Sequence, residues 1–434
     1  MKKLLLFLLS LMLIVTMVAC NGAKDPATTP DEETAPQSPA DTNGGIRKET
    51  TAPETTSGKT SVINPEKYNI SQETLDACAA YTIFKAPQGN PRDIVYDYMY
   101  KMSQVKWVAT KGWNTHWKNQ GDFGVNITYI EGKTYYGIPY SNTKCGLSVF
   151  EQYVVDGQFT YNSDYYEELI GNHCSSSMGL AYQQILDFPY TGGLRENDDR
   201  MGIIRLAGTL KTPPSRSTTS NWDFISANVT EVNGIEAMYE AYATLDKGDI
   251  LYKMIDGSGH TRMVSKVEVN KTVAGKVLPS RSYVYCLEQT NAWADGKQES
   301  TWFIDRKYSF ETLVSTNFTP YTFNIFHEEN PVIYDAHIML DKTNTADTLK
   351  KMMVGTVTST FPINAVRATV TDASGNIVSE YLKYDFTKTY KVNFRDFTFK
   401  LNVAKLPAGT YTYTATVCIA RGSWVAETLT FTIE

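Results

Sequence analysis

Residues 171–185 read Gly-Asn-His-Cys-Ser-Ser-Ser-Met-Gly-Leu-Ala-Tyr-Gln-Gln-Ile, and this stretch restricts the fold more than any other. Small and polar residues give way at Cys174 to Met178, Ala181, Tyr182 and Ile185 at i, i+3/i+4 spacing, the period of a helix with a buried face. The pattern predicts a buried helix with Cys174 in its first turn. Amide N–H groups and the positive end of the helix dipole stabilise a thiolate at such a position, so the sulfur becomes a nucleophile near neutral pH. A cysteine hydrolase then needs a histidine to take the proton and a third group to orient the ring.

Both are present downstream. His260, in Gly257-Ser258-Gly259-His260-Thr261-Arg262, opens a predicted strand over 260–269 and is the candidate base. The next predicted strand runs over 282–289. Alternation there puts Cys286, Glu288 and Thr290 on one face and Tyr285, Leu287 and Gln289 on the other. Only one of Glu288 and Gln289 can face His260. Glu288 is favoured because a carboxylate also stabilises imidazolium, and Gln289 stays as the alternative third residue. Cys145 is the rival nucleophile, with a less clean helix start after it. His173 lies beside the thiol in sequence, about 100° away around a helix, and is poorly placed to deprotonate it. His116 and His327 are read as surface or core residues, and His337 falls in the all-β region.

The formal charge is −6 with no Lys/Arg-rich run, so nucleic acid is not an expected partner. No CxxC pair or HExxH helix suggests a metal, and no cofactor is implied. The six cysteines are widely and irregularly spaced, unlike a disulfide scaffold. Lys2 and Lys3 precede an apolar run from Leu4 to Val18, the form of a secretion signal too short to span a bilayer. It ends Met17-Val18-Ala19-Cys20, which resembles the lipobox of bacterial lipoproteins. That resemblance implies lipidation at Cys20 and an extracytoplasmic domain anchored to the bacterial cell membrane, held by about 0.8 kcal/mol per buried CH₂.

Four segments follow: a leader over 1–19, a lipidated cysteine and disordered tether over 20–62, a folded α+β domain over 63–329, and an all-β region over 330–434. The tether is Thr, Pro, Ala, Ser, Asp, Glu and Gly with almost no large apolar residue, too little to offset its ordering entropy. Asn90-Pro91 begins a predicted helix over 91–107 with Ile94, Val95, Tyr98, Met99, Met102 and Val105 on one face. Trp113, Trp117 and Tyr140 are weak candidates for contact with substrate. Residues 187–228 read as a surface insertion, 234–244 as a helix, and the turn Leu245-Asp246-Lys247-Gly248-Asp249 leads into a strand. From about 330 onward, short strands with turns at Asp372-Ala373-Ser374-Gly375 and Pro407-Ala408-Gly409 read as an immunoglobulin-like β-sandwich, a spacer or docking module.

Five pieces in order, Gly137-Ile138-Pro139-Tyr140, His173-Cys174-Ser175, Leu245 to Ile250, Gly259-His260 and Glu288-Gln289, make residues 94–290 resemble the secreted cell-wall hydrolases of the NlpC type and their CHAP relatives. The resemblance implies a papain-like α+β core and cleavage of amide bonds in peptidoglycan stem peptides or at the sugar–peptide junction. Two other readings use the same residues. One is a papain- or transglutaminase-like protease acting on proteins. The other is an inactive surface lipoprotein that binds glycan or peptide.

Overall fold

The computed structural model describes residues 64–118, 127–187, 203–213, 224–255, 258–384 and 389–434. The leader, Cys20 and the tether through residue 62 lie outside the described residues. The chain is α+β, with helices against several largely antiparallel sheets. The largest sheet has six strands in the order Trp302–Ser309, Tyr283–Gln289, Ser258–Glu268, Ile250–Ile255, Thr319–Phe323 and Ile204–Leu206. Every neighbouring pair in it is antiparallel.

The helix predicted to start in the cysteine stretch is Cys174–Tyr182, buried along its whole length. It lies against the strands Ser258–Glu268 and Tyr283–Gln289 and against a second helix, Pro91–Gln104. Asn90 caps that second helix, its Oδ1 accepting the Arg92 N–H at 2.9 Å, with Pro91 at the first position where no amide proton is needed. Its Val95, Met99 and Met102 are fully buried; each such side chain contributes about 1.5–3 kcal/mol through burial.

The expected insertion over 187–228 is only partly external. Ile204–Leu206 joins the six-stranded sheet at its edge, pairing with Thr319–Phe323, because Ile204 and Leu206 alternate inward around Arg205. Phe224–Asn233 is a helix, and the rest of the insertion lies largely outside the described residues.

The C-terminal region is built from two four-stranded sheets that share one core, including Ile338, Val357, Val366, Tyr413 and Val417. The expected boundary needs a correction here. Ala80–Phe84, assigned by sequence to the first domain, pairs antiparallel with Ala336–Leu340, and Tyr68 stacks on Tyr334 at 4.4 Å. The sandwich therefore takes chain from both sides of the α+β core.

It is also packed against that core. The Arg421 Nε donates to Gln184 O at 3.0 Å and its Nη1 to Tyr334 O at 2.7 Å. Gln184 donates to Ala420 O, Asn364 to Gln183 Oε1, and Ser148 to Ile419 O. Thus the turn that ends the cysteine helix is held by the sandwich, with a cation at the helix C-terminal side where the dipole favours one.

Candidate active site

The loop before Cys174 is strapped by the segment 137–145. Asn172 N donates to Pro139 O at 3.0 Å, Ser141 N to Asn172 O at 2.7 Å, and Cys145 N to Gly171 O at 2.7 Å. Two glycines allow the strap its close approaches, Gly171 to the loop and Gly137 to the Trp302 ring. A Cβ on Gly137, whose φ is +81°, would meet the Trp302 ring at 2.3 Å, and one on Gly171 would meet Pro139 O at 2.3 Å.

Three buried serines in a helix need partners, and the first turn supplies them. Ser176 Oγ accepts the His173 N–H at 2.9 Å and donates to His173 O at 3.1 Å. Ser177 Oγ donates to Cys174 O at 2.9 Å, and Ser175 Oγ lies 3.3 Å from His173 Nδ1. These bonds fix the turn on which the thiol stands. His173 is thereby committed to the helix cap rather than to the base role.

His260 is hydrogen-bonded to the Cys174 thiol. Its Nε2 lies 2.5 Å from Glu288 Oε2, which leaves Nδ1 for the sulfur. Alternation on the strand sends Gln289 the other way, where its amide donates to Ile138 O at 2.8 Å. Glu288 is fully buried and its two oxygens are occupied. Oε2 also accepts from Arg262 Nε at 2.9 Å, while Oε1 accepts the Tyr308 hydroxyl and faces Arg306 Nη1 at 3.4 Å.

Burial alone would raise the Glu288 pKa, yet the Arg262 charge, the His260 bond and the Arg306 charge outweigh it and hold the carboxyl far below the usual range. Burial likewise opposes a charged His260. Its bonds to Cys174 and Glu288 and their charges win, pushing it up to about 9. Cys174 is buried, and about a fifth of the His260 side chain is exposed, so solvent reaches the site over the imidazole.

Arg262, Arg306 and Tyr308 escaped the sequence reading. Arg262 had a signal: two residues after His260 on one strand, it shares that face. The other two come from a separate strand, and only tertiary pairing brings them in.

The weak substrate candidates are corrected by burial. Trp113 stacks on Tyr129 at 4.3 Å and on Trp107 at 6.1 Å. Trp117 packs on Tyr166 at 4.6 Å, and Tyr140 stacks on the same ring at 5.6 Å. All three are core residues; Tyr140 bridges to Asn172 and so helps set the approach to Cys174 instead of lining a groove. The rival Cys145 is buried with its thiol directed at Thr143 O. None of the five described cysteines is in a disulfide. Among the described residues, no group of three or more His, Cys, Asp or Glu side chains could hold a metal.

No protein-family model matches the chain, and no curated protein matches it. Among solved structures it is similar to a tetra-tandem repeat in the extending region of a large adhesion protein, at 14% identity and a TM-score of 0.16. The match covers 43% of this chain and 41% of that one, and a likeness at this level carries no argument about fold or function.

Proposed function

We propose that the chain is a membrane-tethered cysteine hydrolase of the bacterial cell envelope, cleaving amide bonds in peptidoglycan stem peptides through a thioester on Cys174. The observation that carries this reading is one contact chain: a thiol in the first turn of a buried helix, bonded to His260, whose far nitrogen is held by the buried carboxylate of Glu288.

In the forward step the Cys174 sulfur gives its proton to His260 and attacks the carbonyl carbon. The oxyanion is met by the backbone N–H of Cys174, in the first turn of the helix. The C–N bond breaks as His260 returns the proton to the leaving amine. Water then attacks the thioester, losing a proton to His260, and the acid leaves while the thiol is regenerated. The proposal includes a papain-like arrangement for the α+β core, suggested by a thiol helix lying against an antiparallel sheet that bears the histidine and the acid, and an immunoglobulin-like form for the sandwich. Lipid attachment at Cys20 would place the domain outside the cytoplasm.

The test is incubation of the full chain, wild type beside Cys174→Ala, with purified peptidoglycan and with a general peptide panel, products being identified by mass. The wild type should release soluble peptide or amine and the variant none. Release from the panel alone would move the substrate to proteins, and no release from either would sink the hydrolase reading.

A further inference from the structure

The Glu288 carboxylate is shared. One oxygen, Oε2, takes both His260 Nε2 and Arg262 Nε, and the Arg262 guanidinium is clamped between the rings of Tyr308, 3.7 Å away, and Phe318, 3.9 Å away. Only 4% of the Arg262 side chain is exposed. A clamped, buried cation this close is a fixed part of the field at His260 rather than a surface ion pair.

That matters because the two halves of the proposed reaction ask opposite things of the imidazole. Acylation needs an imidazolium beside the thiolate, which a buried carboxylate favours. Deacylation needs a neutral imidazole to accept a proton from water after the thiolate has become a thioester. An unopposed buried carboxylate on Nε2 would keep the ring protonated and stall the second half. We propose that Arg262 is a positioning residue of this site, acting through Glu288: by sharing the carboxylate it offsets part of its charge and leaves His260 able to release its proton for deacylation. The inference rests on the hydrolase reading for its meaning, but its physical core concerns His260 alone.

Among the described residues, the charged or titratable groups facing this pair come from five elements. Cys174 comes from the helix, Arg262 from the strand of His260 and Arg306 and Tyr308 from Trp302–Ser309. Cys286 lies on the strand of Glu288, and Lys253 is in register with His260. Burial keeps Cys286 and Tyr308 protonated, their pKa values raised. Arg262 is the largest of the effects holding the Glu288 carboxyl ionised.

The experiment is titration of His260 by ¹⁵N-histidine NMR in the full chain, which needs no substrate. Arg262→Met should raise the His260 pKa by about one unit, tenfold in proton affinity, and Arg262→Lys should restore it toward the wild type. In turnover the Met variant should accumulate thioester, its kcat falling and its pH profile moving to higher pH. A fall in the His260 pKa, or none of these shifts despite a folded protein, would overturn the proposal, since a purely structural arginine leaves the titration unmoved. Should Arg262→Met fail to fold, Arg262→Gln keeps a donor for the Glu288 carboxylate without the charge and should raise the His260 pKa in the same sense. Failure of the chain to cleave peptidoglycan would not touch this result, so the two claims fail separately.

Discussion

Two buried carboxylates in this molecule are built from nearly the same parts and differ in what lies at their end. Glu288 is met by an arginine, a phenol and a histidine. Asp249, also buried, is met by Arg92 Nη1 at 2.9 Å, by the Thr322 hydroxyl at 2.6 Å and by the Asp246 N–H at 2.8 Å; Thr322 in turn reaches His327 Nε2 at 2.9 Å. Around Asp249 the bonds close on a turn: Arg92 also donates to Lys247 O, and Tyr182 to Gly248 O. That set ties two helices to the start of a strand, and its histidine ends on a buried hydroxyl whose proton is donated to Asp249. Their electrostatics also part. Burial dominates at Asp249 and raises its pKa despite Arg92, whereas at Glu288 the surrounding charges win. Composition of a polar cluster thus says little about chemistry; a nucleophile within reach of the histidine decides it.

Removing one partner from each cluster separates the two most sharply. Glu288→Gln should lower the hydrolysis rate by about 10²–10⁴-fold in a protein that still folds, measured as initial rates on peptidoglycan beside a thermal melt. On the Asp249 side the effect should be on stability instead. Arg92→Met strands a buried carboxylate, and breaking such a pair costs about 3–5 kcal/mol; urea unfolding should show the loss while activity per folded molecule stays close to wild type. Equal losses of rate in the two variants would erase the distinction.

A smaller effect tests the sandwich contact. Arg421→Ala removes hydrogen bonds from a charged donor to Gln184 O and Tyr334 O, worth about 1.5–3 kcal/mol, so the melting temperature should fall with little change in the pH profile of Cys174.

Stability should also depend on pH. His260, at about 9 in the fold against about 6.5 unfolded, contributes stability that is complete below about pH 6.5 and lost as pH rises through about 9. Urea midpoints from pH 6 to 10 should decline across that window, and Glu288→Gln should flatten the decline. Glu288 works at the acid end, where its contribution is present above about pH 4.3 and fades on further acidification.

What the sequence made legible was local. The helix beginning at Cys174, the strand bearing His260 and the opposite faces of Glu288 and Gln289 follow from period and alternation, which depend only on neighbours in the chain; which of the two meets His260 does not. What it hid was long-range. Ala80–Phe84 cannot be assigned to a sheet whose partner strand begins at Ala336 from its own residues. The short strand Ile204–Leu206 is too brief for its alternation to stand out from the polar sequence around it. Trp113 and Trp117 stayed open as weak groove candidates because aromatic clusters serve walls and cores alike, and only packing separates the two. Arg306 and Tyr308 reach Glu288 by strand pairing, which no spacing in the sequence encodes.

The most direct test of the central claim is alkylation of the full chain by iodoacetamide over a range of pH, with each cysteine quantified by peptide mass. Cys286 and Cys418 are buried with raised pKa values, Cys418 pushed up to about 12, and serve as internal controls. The account predicts that Cys174 alone reacts well below about pH 8.5, the pKa of an ordinary thiol, and that His260→Ala abolishes this advantage. Cys174 reacting no faster than the buried controls, or unchanged without His260, would contradict it.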